Sequence, residues 1–135
     1  MSCEERTFDA VIENGSTILG FVDEQLEAND CSAQLRAEIN IAVDELFSNI
    51  AFYAYPEGKG FVTVRIQIDD AKVILAFIDA GKPYDPLAKE DPDTDLEAEE
   101  RPIGGLGIYI VKQMASDVRY EYTDGHNVLT VVYSR

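Results

Sequence analysis

The chain has no tryptophan, one histidine and two cysteines among its 135 residues. Cys3 and Cys31 fit neither a disulfide framework nor a metal-ligand spacing, and read as reduced thiols of a cytosolic protein. No apolar stretch approaches the ~20 residues that cross a bilayer, which excludes a membrane span. The first six residues, Met1 to Arg6, are charged and lack an apolar run, so they are not a secretory signal, and a cytoplasmic location is expected. Basic residues are also scarce. Eleven Lys and Arg face 26 Asp and Glu, a formal charge of −15, which argues against direct nucleic-acid binding because that needs a basic face.

What is present suffices for a folded domain. Hydrophobic residues make up 46% of the chain, enough to build a core, and the length suits one compact domain over residues 1–135. The acidity sets a condition on ligands. A polyphosphate could be held only where backbone donors and a cation overcome the long-range repulsion.

Hydrophobic periodicity divides the chain. Residues 6–12 alternate, with Phe8, Ala10 and Ile12 on one side, and read as a short strand. Asn14-Gly15-Ser16 precedes a helix marked by Ile18, Leu19, Val22 and Leu26, and Asp30 or Ser32 can cap the next one. Leu35, Ile39, Ala42, Leu46, Ile50 and Tyr53 recur at helical spacing as far as the turn at Pro56. Residues 61–68 and 72–78 read as a hairpin joined through Asp69-Asp70. Residues 118–122 and 128–133 make a second hairpin around Thr123-Asp124-Gly125. The expected fold is α/β, a two-layer sandwich with a mixed, mainly antiparallel sheet and helices on one face.

Between Gly81 and Ile103 neither period persists. This stretch holds four prolines, and eight acids between Asp85 and Glu100 face Lys89 alone. Such a loop in a compact domain is either a functional lid or a solvated linker.

Three short motifs could carry chemistry. Glu45 and Asn49 lie four residues apart on one helical face, beside the apolar stripe. They suit an ordinary exposed pair, or a base next to an oxygen ligand for magnesium. Asp79 ends the apolar strand in Ile78-Asp79-Ala80-Gly81. It either turns the chain or accepts from an adenine amino group, with Gly81 letting a flat ring approach the backbone. Gly104-Gly105-Leu106-Gly107 leads into an apolar helix, a start whose amides and dipole suit phosphate. It matches neither the Walker A pattern nor the Rossmann context.

Taken in order, Glu-x-x-x-Asn, Asp-x-Gly, a long loop and Gly-Gly-x-Gly resemble the GHKL ATPase superfamily of gyrase, Hsp90, histidine kinases and MutL. The Glu-Leu-Phe-Ser-Asn-Ile-Ala-Phe-Tyr-Ala-Tyr segment and the short length are most similar to the anti-sigma factor serine kinases, over about Phe8 to Tyr133. The resemblance implies ATP and Mg2+ as cofactors, with Glu45 as catalytic base and Asn49 as magnesium ligand. It places Asp79 and Gly81 at adenine and Gly104, Gly105 and Gly107 around the phosphates. Lys89 and Arg101 become lid contacts to phosphate, and Thr130 helps to seat adenine near Asp79. Its implied partners are a sigma factor and an anti-sigma factor antagonist, the protein substrate, and a homodimer is left open.

Two positions depart from the family pattern. Tyr53 stands where many members carry histidine, and Pro83 stands where a second glycine is usual and stiffens the start of the lid. His126, beside the turn, reads as a surface residue. A detached two-component catalytic domain is disfavoured because no helical segment bearing a phosphoacceptor histidine is present. The remaining alternative is a non-catalytic ATP-binding regulatory module, against which the presence of Glu45 counts.

Overall fold

The computed structural model describes residues 2–56, 58–88 and 105–135. Its strands are β1 (Ser2–Asp9), β2 (Phe61–Ile68), β3 (Lys72–Asp79), β4 (Asp117–Thr123) and β5 (His126–Ser134). They form one sheet in the order β1-β2-β3-β5-β4. All four neighbouring pairs are antiparallel. Three helices, α1 (Gly15–Ala28), α2 (Ala33–Asn49) and α3 (Gly105–Met114), complete the order expected from the sequence.

Alternation in the strands decides which face the helices cover. β2 buries Val62, Val64, Ile66 and Ile68, and turns Thr63, Arg65 and Gln67 the other way. β3 contributes Val73, Leu75 and Phe77, and β5 contributes Leu129, Val131 and Tyr133. From the helices, Ile18, Val22 and Leu26 of α1 meet Ile39, Val43 and Phe47 of α2 in the same core. Fully burying an aliphatic side chain of this kind is worth ~1.5–3 kcal/mol, so this one face supplies most of the folding drive.

Local signals fix the ends of the elements. Ser32 caps α2, its Oγ accepting from the Leu35 amide at 3.1 Å. In the β2–β3 connection, Asp69 Oδ1 accepts from the Ala71 and Lys72 amides, each at 2.8 Å. Those backbone donors hold the Asp69 carboxyl below the usual carboxylate range. Asp124 (φ 52°) and Gly125 (φ 77°) take the paired positive φ angles that match a two-residue hairpin turn to strand twist.

Two boundaries differ from the sequence reading. β1 begins at Ser2 and ends at Asp9, and Ile12 is exposed in a short 3-10 turn over Ile12–Asn14. As an edge strand, β1 tolerates the charged run before Phe8 because only β2 lies beside it. The second helix also changes character: α2 stops at Asn49, and Ile50–Ala54 form a π-helical segment. Widened turns of this type occur often at functional sites. Here the segment directly follows Asn49.

Tyr55 ties that segment to the sheet. Its hydroxyl donates to the Phe61 carbonyl at 2.6 Å and accepts from the Ala80 amide at 2.8 Å. It thereby joins the start of β2 to the end of β3. Gly60 lies against the Tyr55 ring, where a Cβ would overlap it. Removing the hydroxyl orphans both backbone groups, so Tyr55→Phe is expected to lose about 1–3 kcal/mol in urea unfolding. An unchanged midpoint would show that this bridge contributes nothing.

Candidate functional site

Among the described residues, Asp79 and Asn127 are the only buried polar side chains. They face each other across the β3–β5 ladder, at the end of both strands. Asp79 Oδ1 accepts from the Gly81 amide at 2.9 Å and from Asn127 Nδ2 at 3.0 Å. Asn127 Nδ2 also donates to the Lys82 carbonyl at 2.9 Å. Its Oδ1 accepts from the Tyr84 amide at 3.1 Å and from the Tyr120 hydroxyl at 2.5 Å. Burial pushes the Tyr120 phenol up, so it remains a donor at neutral pH.

Beside this pair opens a cleft with about 510 Å³ of empty space, continuous with solvent. Leu46, Ile50, Phe77 and Leu129 give it apolar walls, and Asn49, Asp79 and Asn127 supply polar groups. An apolar cleft with a few convergent polar groups is the usual form of a small-molecule site. Both hydrogen bonds to Asp79 fall on Oδ1, so Oδ2 has no protein donor among the described residues. That is the donor set an exocyclic amino group requires.

Glu45 and Asn49 are both half-buried on α2, at the border of the core as their spacing suggests. The glycine-rich helix start meets them. α3 begins at Gly105, and Gly107 sits in its first turn with the Glu45 carboxylate against it. A Cβ at Gly107 would overlap that carboxylate. The positive end of α3, where orphan amides concentrate, therefore lies next to the carboxylate, with Asn49 one turn further along α2. Among the described residues no cluster of three or more His, Cys, Asp or Glu could hold a metal. Magnesium needs few protein ligands when phosphate oxygens complete its shell, and the Asn49 carboxamide suits that role.

Three expectations change. Thr130 does not stand with Asp79: it pairs with Ala76, and β5 alternates so that Asn127, Leu129 and Val131 share the cleft side while Thr130 points to the opposite face. Asn127 occupies the place beside Asp79 instead. Gly81 is required by the chain itself, because a Cβ there would strike the Ala54 carbonyl. Residues 81–88, read as the start of a free lid, are tied down. The Lys82 amide donates to the Ala54 carbonyl at 3.0 Å, and Asn127 clasps the backbone on both sides of Pro83. Asp85 closes a small turn by accepting from the Leu87 amide at 2.8 Å. Lys89, Arg101 and Gly104 lie outside the described residues.

Tyr53 is 52% exposed yet lines the cleft from the π-helical segment. His126 lies in the hairpin turn region, half-buried, its Nδ1 2.8 Å from the Asp124 carbonyl. Cys3 is exposed and Cys31 buried, both unpaired.

Over residues 8–133 the sequence matches the model of the histidine kinase-like ATPase domain. The chain belongs to this family. Two solved structures share its fold. One is the mycobacterial sensor histidine kinase MprB, with TM-score 0.55 and 18% identity, covering 96% of this chain and 97% of that one. The other is the Acinetobacter baumannii histidine kinase AdeS, with TM-score 0.50 and 16% identity, covering 99% and 68%. Curated relatives include the serine-protein kinase RsbW of Listeria monocytogenes, 29% identical over 71% of this chain and 64% of that protein. The serine/threonine-protein kinase BtrW of Bordetella bronchiseptica is 27% identical over 74% and 71%. The match to RsbW thus spans less than two thirds of that relative's length.

The contact at Gly81 yields a test independent of any ligand. Gly81→Ala forces the Ala54 backbone and the start of the lid apart, and overpacking of this kind costs about 1–3 kcal/mol. The loss should be measurable by urea unfolding without nucleotide. Parent-like stability would mean that this glycine serves the ligand and not the chain.

Proposed function

We propose that the chain binds Mg-ATP in this cleft and transfers the γ-phosphate to a serine or threonine of an anti-sigma factor antagonist. In the same reading it captures a sigma factor reversibly, so that phosphorylation switches partners in the cytoplasm. Support comes from family membership and from relatives that carry kinase names. No described helix is long and apolar enough to cross a membrane. The observation that carries the reading is the Glu45 carboxylate against Gly107, at the head of α3 and one helical turn from Asn49.

Each group of this chain has a task in that reading. Asp79 Oδ2 accepts from the adenine amino group, and the apolar walls of the cleft exclude water from the ring. The amides at the head of α3 hold phosphate oxygens. Asn49 supplies an oxygen to magnesium, which neutralises phosphate charge when bound. Glu45 orients the incoming hydroxyl and takes its proton, a contribution typically worth ~10²–10⁴-fold. A chain of charge −15 repels a free polyphosphate at long range, so these local groups must dominate.

Two variants test the assignment. Asp79→Asn places an amide nitrogen or a poorer acceptor at the adenine, so calorimetry should show ATP and ADP binding weakened by at least ~2 kcal/mol. Equal affinity would remove Asp79 from the base site. Glu45→Gln keeps size and polarity but not the base, so it should bind Mg-ATP as the parent does and transfer phosphate at least ~100-fold more slowly. The assay is radiolabel transfer to antagonist proteins encoded in the same genome. A parent that transfers nothing to any of them would leave a nucleotide-binding regulatory module. An active parent with an equally active Glu45→Gln would keep the kinase and lose the base.

A further inference from the structure

Asn127 makes more hydrogen bonds than its size suggests, and their directions are fixed by the backbone. The Lys82 carbonyl can only accept and the Tyr84 amide can only donate. The carboxamide therefore cannot be flipped, and Nδ2 must face Asp79, 3.0 Å away. Both of its N–H groups and both lone pairs of its oxygen are used, by Asp79, Lys82, Tyr84 and Tyr120. Asn127 is 6% exposed, so no water is needed to complete this set.

The effect falls on Asp79. With the Gly81 amide and Asn127 Nδ2 both aimed at Oδ1, the carboxylate cannot turn to offer that oxygen elsewhere. Oδ2 remains as a fixed acceptor, with no donor of the protein beside it among the described residues. We propose that Asn127 is the specificity-determining positioning residue of the base cleft, locking Asp79 as a pure acceptor so that the cleft selects purines with an amino group at C6 over those with a carbonyl there. This rests on the nucleotide reading above but concerns a residue which that reading does not use.

The physical reason is a clash of like groups. A C6 carbonyl would set one lone pair against another in a site with little water, and a buried acceptor without a donor is penalised strongly. Without Asn127 the carboxylate can rotate, and a water admitted to the vacated space can donate to both the carboxylate and a C6 carbonyl. Selectivity then fades more than affinity does.

The experiment compares ATP with inosine triphosphate, which differs at this purine position, by calorimetry in magnesium buffer. The parent should prefer ATP by at least ~10²-fold, the size expected for one mispaired buried acceptor. Asn127→Leu, of similar volume but apolar, and Asn127→Ser, which leaves room for water, should each shrink that ratio at least ~10-fold. Thermal melts identify which variant is folded, and either folded variant suffices. General structural damage would weaken both nucleotides together and leave the ratio intact, an outcome that overturns the proposal. A parent that binds both nucleotides equally also overturns it, while the nucleotide reading stands. A parent that binds neither refutes the nucleotide reading itself.

Discussion

A carboxylate held out of water at the end of a central strand is the constraint around which this site is built. Stranded without donors, a buried charge costs several kcal/mol, and the fold answers with short-range geometry. Asp79 draws the Gly81 amide back on itself and takes a donor from Asn127 on the neighbouring strand. Asn127 in turn needs the backbone of Lys82 and Tyr84 and the hydroxyl of Tyr120. Bringing Gly81 into reach presses it on the Ala54 carbonyl. One acid thus organises the end of β3, the chain that leaves it, the tip of β5 and the end of the second helix.

Much of the architecture was legible in the residues because the two periodicities are clean. The β2 and β3 alternation, the Ser32 cap and the Asp124-Gly125 turn each have a local cause. Asp79 was visible as an acid where an apolar run stops, and Glu45 with Asn49 by their four-residue spacing. What could not be read depends on long-range register. Thr130 seemed suitable by composition alone, yet counting in twos from Leu129 places it on the wrong face. The same count marks Asn127 as a carboxamide sharing a face with Leu129, Val131 and Tyr133, a signal present in the sequence but passed over. The π-helical segment was hidden because Ile50 and Tyr53 keep a spacing that an ordinary helix would also show. The close approach of Gly81 to Ala54 joins residues that only the folded chain brings together.

The site also shows how an acidic protein can suit an anionic ligand. Overall charge acts over distances that salt screens within ~10 Å, whereas donors at contact range are hardly screened. The head of α3 provides such donors, and Glu45 lies against it in the structure described here. Charge on the rest of the surface then governs encounter and solubility more than it governs the bound state.

The π-helical segment has a consequence for how this region tolerates changes in chain length. An ordinary helix advances about 100° per residue, so a one-residue deletion between Ile50 and Ala54 would restore regular winding but swing everything after it by roughly that angle. Ala54 would no longer offer its carbonyl to Lys82, and Tyr55 would lose its place between β2 and β3. The segment works as a phase adjuster: upstream it leaves Asn49 and Glu45 in α-helical register, and downstream it delivers Tyr55 to the sheet. Substitutions can be absorbed there one at a time. A change in residue number cannot, because it would set the two halves of the cleft out of step.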